Sequence, residues 1–220
     1  MELFETKVYV ASTAELEDEQ VFHALYQTVS KERREKIDKL RFPKDKRLSL
    51  AAEVLLKKAL IINGIGEFEC GIGENGKPFL VGNSSVEFNL SHSEERVMCV
   101  ISNQEAGCDV ERIRDTDYKV ARHFFTTEEN DMIEAAGLKK QEMFFRIWTL
   151  KESFLKATGL GMRIPLKDFY FSIDEDRICV YQNVNQASYY FKEYDLHDGY
   201  RYAVCSLNPA FADIVKVDLI

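Results

Sequence analysis

Two stretches about a hundred residues apart share one grammar, and this limits the fold more than any other feature. The apolar strand VMCVIS (97–102) is echoed by YAVCSL (202–207), with Cys99 and Cys205 separated by 106 positions. The helical pattern around Leu55 is echoed around Leu155, 100 positions later. Shared helix–strand grammar could produce such echoes; the other reading is two related α+β halves packed face to face, residues 1–106 and 107–220, and a cleft between such halves is a common place for a ligand. A chain of 220 residues is long enough to give each half a core.

Periodicity fills in the elements. KVYVA (7–11) reads as a first strand, and Leu16, Val21, Phe22, Leu25, Tyr26 and Val29 predict a helix over 15–29. A second helix is expected over 45–60. Asn75-Gly76 marks a tight turn. Val86, Phe88 and Leu90 alternate with Glu87, Asn89 and Ser91, the pattern of a half-buried strand. VMCVIS and GCDVE (107–111) predict two further strands. A strongly apolar helix over 143–159 stops at Gly159, and strands are expected at 168–173, 178–182, 189–194 and 202–207.

Composition excludes several classes. Hydrophobic residues make up 45% and charged residues 30%, which excludes disordered and low-complexity chains. The net charge of −8 argues against nucleic acid as a partner. No apolar run approaches the roughly 20 residues of a membrane helix, and the N-terminus lacks a secretory pattern. Five cysteines, with no C-x-x-C pair, point to a reducing cytoplasm rather than to disulfides or zinc. Residues 31–47 oppose the global sign. They carry nine basic against four acidic side chains, a local +5, leaving −13 for the rest. Such a segment is either a solvated helix face or an anion site.

Three carboxylates stand out. Asp109 and Glu111 lie two apart on a short strand, so both face one side while Val110 faces the other. Either a cation sits between them or Arg112 or Arg114 pairs with them. Glu152 interrupts the most apolar helix, where an i,i+4 pair with Lys156 competes with ligand binding. Three hard oxygen donors without His or Cys suit Mg²⁺. Ser91, His92, Lys77 and Lys156 are candidate anion contacts, each with an ordinary structural alternative. Glu128 and Glu129 follow Phe124-Phe125-Thr126-Thr127, where helix capping is the first reading. Phe124, Phe125 and Met132 are either a docking segment or core. Walker A, G-x-G-x-x-G and G-x-S-x-G patterns are absent.

Five blocks in register, NGKPFL, FNLSHS, GCDVE, FFTTEE and WTLKESFLKATGLGM, resemble the 4'-phosphopantetheinyl transferases of the Sfp type, from about Ser30 to Met162. W-x-x-K-E-x-x-x-K followed by G-x-G is the specific part. The resemblance implies a pseudo-dimeric α+β fold that binds coenzyme A and Mg²⁺ between the halves. It implies Asp109, Glu111 and Glu152 as metal ligands. Lys156 would lie near the diphosphate, Ser91 and His92 at coenzyme A phosphates, and Gly76, Lys77 and Pro78 beside the adenosine. The basic segment, with Lys36 and Arg47 the best choices, would hold the 3'-phosphate.

The reaction so implied moves phosphopantetheine from coenzyme A to a serine of an apo acyl or peptidyl carrier protein, releasing 3',5'-ADP. Glu129 is then the expected base, with Glu128 or a metal-bound water as substitutes, and Lys156 serves the leaving group. The protein would act as a cytoplasmic monomer, without nucleic acid or membrane. A Mg²⁺-dependent nucleotide diphosphate phosphohydrolase could use the same carboxylates, and a non-catalytic coenzyme A or carrier-binding module is a third reading.

Overall fold

The computed structural model describes residues 5–116, 119–174 and 177–220. The chain opens with β1 (Thr6–Ser12), a 3-10 turn (Ala14–Glu17) and α1 (Glu19–Tyr26). The continuous helix expected over 15–29 is therefore broken. Asp18 is extended, and its carboxylate accepts the N–H groups of Gln20 (2.8 Å) and Val21 (3.3 Å), which starts a new helix. α2 (Lys31–Lys39) and α3 (Pro43–Ile62) follow, then the hairpin of β2 (Cys70–Ile72) and β3 (Pro78–Leu80). Gly76 takes φ +84° in its turn, a conformation that favours glycine.

β4 (Glu87–Ser93), β5 (Arg96–Ser102) and β6 (Ala106–Arg112) come next. The helices α4 (Lys119–Phe124), α5 (Thr127–Ala135) and α6 (Lys140–Thr158) follow them, and Gly159 ends α6 in the left-handed region at φ +67°. The rest is strand: β7 (Tyr170–Ile173), β8 (Ile178–Tyr181), β9 (Tyr190–Tyr194), β10 (Tyr200–Ser206) and β11 (Phe211–Lys216).

Two sheets lie between two long helices. The first has the order β11-β1-β5-β4 and the second β6-β10-β9. Strand alternation decides what each side meets. Tyr9, Ala11, Val97, Cys99 and Ile101 pack with α3, whereas Val8, Val10, Met98 and Val100 face the second sheet. In that sheet Tyr202 and Val204 face the first, and Ala203 and Cys205 face α6. Cys99 and Cys205, the anchors of the sequence echo, thus occupy matching places, each buried under its own helix. One element crosses the division. β11 runs back to pair in parallel with β1, and Leu219 joins the first core. Among the described residues no helix is long and apolar enough to cross a membrane.

α6 presses directly on β6 because Gly107 has no side chain. A Cβ there would stand 2.2 Å from the Ser153 carbonyl oxygen and 2.3 Å from the Ala157 nitrogen. On its far side α6 carries Lys151, which is fully buried with Glu129 at 2.9 Å. Lys151 Nζ also donates to the carbonyls of Leu166 and Phe169, both at 2.7 Å. Glu129 accepts the backbone N–H of Thr126 (3.0 Å) and of Phe171 (3.2 Å), and Thr126 caps Glu129 in return. Burial pulls Lys151 below its ordinary pKa, with Glu129 working against that shift. Glu129, the expected general base, is held in this frame. Its side chain has no exposed surface and both oxygens are bonded to the frame joining α5, α6 and β7.

Two outcomes follow. Gly107→Ala should lower stability by about 1–3 kcal/mol in urea unfolding, because backbone must move to admit the methyl group. Glu129→Ala should cost about 3–5 kcal/mol by leaving buried Lys151 without its counter-ion. Adding Lys151→Met should recover much of that loss in a double-mutant cycle, since an apolar replacement removes both charges.

Candidate active site

The site forms where the edge of the second sheet meets the face of the first. β6 is an edge strand, so alternate N–H groups lack a strand partner. Three side chains of β4 satisfy them. Cys108 N–H donates to Asn89 Oδ1 (3.1 Å), Val110 N–H to Ser91 Oγ (3.4 Å) and Arg112 N–H to Ser93 Oγ (3.2 Å). The polar face of β4, expected at a half-exposed surface, is thereby buried: Asn89, Ser91 and Ser93 are each under one-tenth exposed. Its other face, with Phe88, packs in the first core as the alternation predicts.

The same serines hold the carboxylates. Ser91 Oγ donates to Asp109 Oδ1 (2.8 Å), and Ser93 Oγ donates to Glu111 Oε2 (2.7 Å). Lys156 Nζ, from α6, donates to Asp109 Oδ1 (2.6 Å) and Ser91 Oγ (3.0 Å). Lys156 therefore pairs with Asp109 rather than with Glu152 one turn earlier. Ser91 now uses its one donor and both acceptor sites, so a direct phosphate contact would have to replace one of them.

Charge is unevenly balanced across this cluster. Asp109 is buried, and its Oδ2 has no hydrogen-bond partner. Burial raises the Glu152 carboxyl above its ordinary value, and the charges of Asp109 and Glu111 add to that rise. Burial likewise raises Glu111, against the bond from Ser93. Burial is the largest influence on the Lys156 ammonium and works against it, but Asp109 beside it, together with Cys108 and Glu152, outweighs this and lifts its pKa. The orphaned oxygen and the desolvated glutamates are hard donors with unmet charge, which fits a divalent cation such as Mg²⁺. As the side chains stand, no three His, Cys, Asp or Glu among the described residues are drawn closely enough together to enclose one.

The expected anion contacts divide into two groups. His92 is exposed at the end of β4, and solvent loss together with the charges of Lys156 and then Lys36 holds it below its ordinary pKa. Lys36, exposed on α2, thus faces the same mouth. Lys77 donates to the Ala157 carbonyl at the end of α6 (3.1 Å) and stands 3.7 Å from Glu87. Gly76 and Pro78 flank it in the hairpin and bring it across the seam. Arg47 pairs with Glu17 at 3.3 Å instead. It lines a surface cavity of about 850 Å³ with Leu16, Phe22, His23 and Lys46, and none of the seam carboxylates lines that cavity.

The FFTTEE segment resolves as well. Phe125 is core, Met132 packs beside it, and Phe124 is exposed. Glu128 is exposed at the start of α5, where a backbone N–H and Thr126 lower its pKa. The roles of Asn89 and Ser93 were not foreseen. Their signal is a match of period: 89, 91 and 93 on one strand against 107, 109 and 111 on the other.

Comparison with known proteins covers both halves. A family model described as "4'-phosphopantetheinyl transferase, N-terminal" matches residues 17–104, and one for the 4'-phosphopantetheinyl transferase superfamily matches 105–205. The 4'-phosphopantetheinyl transferase gsp of Aneurinibacillus migulanus is 36% identical over 194 residues, covering 86% of this chain and 81% of that protein. The psf-1 transferase of Bacillus pumilus is 32% identical, covering 86% and 83%. The Sfp transferase of Bacillus subtilis strain 168 is 27% identical, covering 86% and 87%. The fold, the seam and these similarities agree: the chain belongs to the 4'-phosphopantetheinyl transferase superfamily.

Proposed function

We propose that this protein transfers the 4'-phosphopantetheine arm of coenzyme A to a serine of an apo acyl or peptidyl carrier protein, releasing 3',5'-ADP. The observation that carries the site assignment is Asp109, buried at the seam with one oxygen held by Ser91 and Lys156 and the other bare. Asp109, Glu111 and Glu152 would hold Mg²⁺, which when bound neutralises charge on the coenzyme A diphosphate. Lys36 and His92 receive the phosphates at the mouth, and Lys77 with its hairpin lies beside the adenosine end. All five cysteines are free, which suits a reducing cytoplasm.

This chain's side chains then divide the work. With Glu129 committed to the frame and Glu152 among the cation ligands, Glu128, exposed at the start of α5, is the candidate left to take the serine proton. The serine oxygen attacks the β-phosphorus, and the bond from that phosphorus to the oxygen leaving with 3',5'-ADP breaks. Lys156 meets the negative charge that this oxygen acquires. The ammonium already stands beside Asp109, so it is held in place before substrate arrives.

Mass spectrometry of an apo carrier protein incubated with this protein, coenzyme A and Mg²⁺ tests the proposal. One phosphopantetheine should be gained on serine, and chelation should abolish the gain. Equally rapid hydrolysis of coenzyme A without acceptor would instead establish the phosphohydrolase. Glu152→Gln, which takes away one cation ligand, should lower turnover by at least about 10–100-fold.

A further inference from the structure

We infer that Ser93 is a positioning residue for Glu111, and that it orients this carboxylate without neutralising it. The inference rests on the proposed role of Glu111 as a cation ligand. Ser93 is 8% exposed and sits at the last position of β4. Its Oγ accepts the Arg112 N–H at 3.2 Å and donates to Glu111 Oε2 at 2.7 Å. The first bond fixes one lone pair against the β6 backbone, so the O–H is aimed at the carboxylate. Ser91 makes the same pair of bonds to Val110 N–H and Asp109, two residues earlier on both strands.

The two arginines that could have paired with Glu111 are engaged elsewhere. Arg112 lies over the Tyr200 ring, 5.4 Å from its centroid. Arg114 bonds Glu94 at 3.2 Å, and Glu94 also holds Lys44. Among the described residues the hydrogen-bond donor to Glu111 is thus a neutral hydroxyl, while Arg114 and Lys156 act on it only through their charge. A cation in that place would fix the rotamer but consume the charge, whereas a hydroxyl fixes the rotamer and leaves the charge for a ligand. Such supporting groups typically change metal affinity by about 10–100-fold.

The test uses two side chains of one shape. Ser93→Thr keeps the hydroxyl and Ser93→Val lacks it, while both are β-branched residues suited to a strand. Mn²⁺ is titrated into each variant with coenzyme A present and no acceptor. Binding is read as loss of the free-ion EPR signal against a protein-free blank, and thermal unfolding is recorded in parallel. S93T should bind within about threefold of the wild type, and S93V about 10–100-fold more weakly, with the two melting alike. Equal affinity of S93T and S93V overturns the inference. Should S93V fail to fold, Ser93→Ala takes its place against S93T with the same expectations. Glu111→Gln is the control that separates the two levels. If it leaves Mn²⁺ binding unchanged, the ligand role of Glu111 fails and the inference with it. If it weakens binding while S93V matches S93T, only the role of Ser93 is lost.

Discussion

An edge strand buried inside a protein must find partners for its outward N–H groups, and here that requirement builds the candidate active site. β6 could have been completed by another strand. It is completed by Asn89, Ser91 and Ser93, whose side chains reach the backbone of β6 from the face of β4. A side chain is shorter-lived in shape than a ladder of backbone bonds, but it has chemistry left over. Each serine that accepts a backbone N–H still has a proton to give, and each gives it to a carboxylate. The contact that joins the halves is therefore the contact that orients Asp109 and Glu111. Separating the halves would expose N–H groups and free the carboxylates together.

α6 shows how one helix can serve both structure and chemistry. Lys151 and Lys156 are five residues apart, which sets them on different sides of the helix. Lys151 points into the frame, where Glu129 and two carbonyls leave its ammonium no contact with water. Lys156 points into the seam, remains partly exposed, and shares Asp109 with whatever enters. Burying an ion pair costs several kcal/mol per ion before attraction and hydrogen bonds offset it. Gly107 lets α6 approach β6 closely enough for Lys156 to reach Asp109 at all.

Much of this was legible before the coordinates. The alternation of β4, the apolar strands β5 and β10, the long helix stopped at Gly159 and the Asp109–Glu111 face follow from residue type and period alone. What escaped depends on distant partners. Helix spacing over 15–29 is real, yet one carboxylate at Asp18 restarts the helix. Nothing local in FADIVK says that it returns to β1. Thr126-x-x-Glu129 announces a capping box, but the ion pair that removes Glu129 from solvent lies 22 residues away at Lys151. The same two glutamates in FFTTEE differ completely in fate, one exposed and one sealed, because only tertiary packing distinguishes successive positions at a helix start.

The basic segment completes the electrostatic argument. Its charge looked like a single anion-binding feature, but most of it is used internally. Arg33 pairs with Glu53, Lys31 with Glu35, Lys44 with Glu94 and Arg47 with Glu17, while Arg34 reaches the Val29 carbonyl. Lys36 is the exposed cation of this segment whose charge is felt at His92. A chain with net charge −8 can still attract a polyanion when a few unneutralised cations flank one opening and the acidic excess lies elsewhere. Salt would screen the attraction of Lys36 at the surface more than that of Lys156 in the seam. In the proposed reaction, capture at the mouth and charge stabilisation at the reacting phosphate would thus fall to separate cations, each set by how far its ammonium is withdrawn from water.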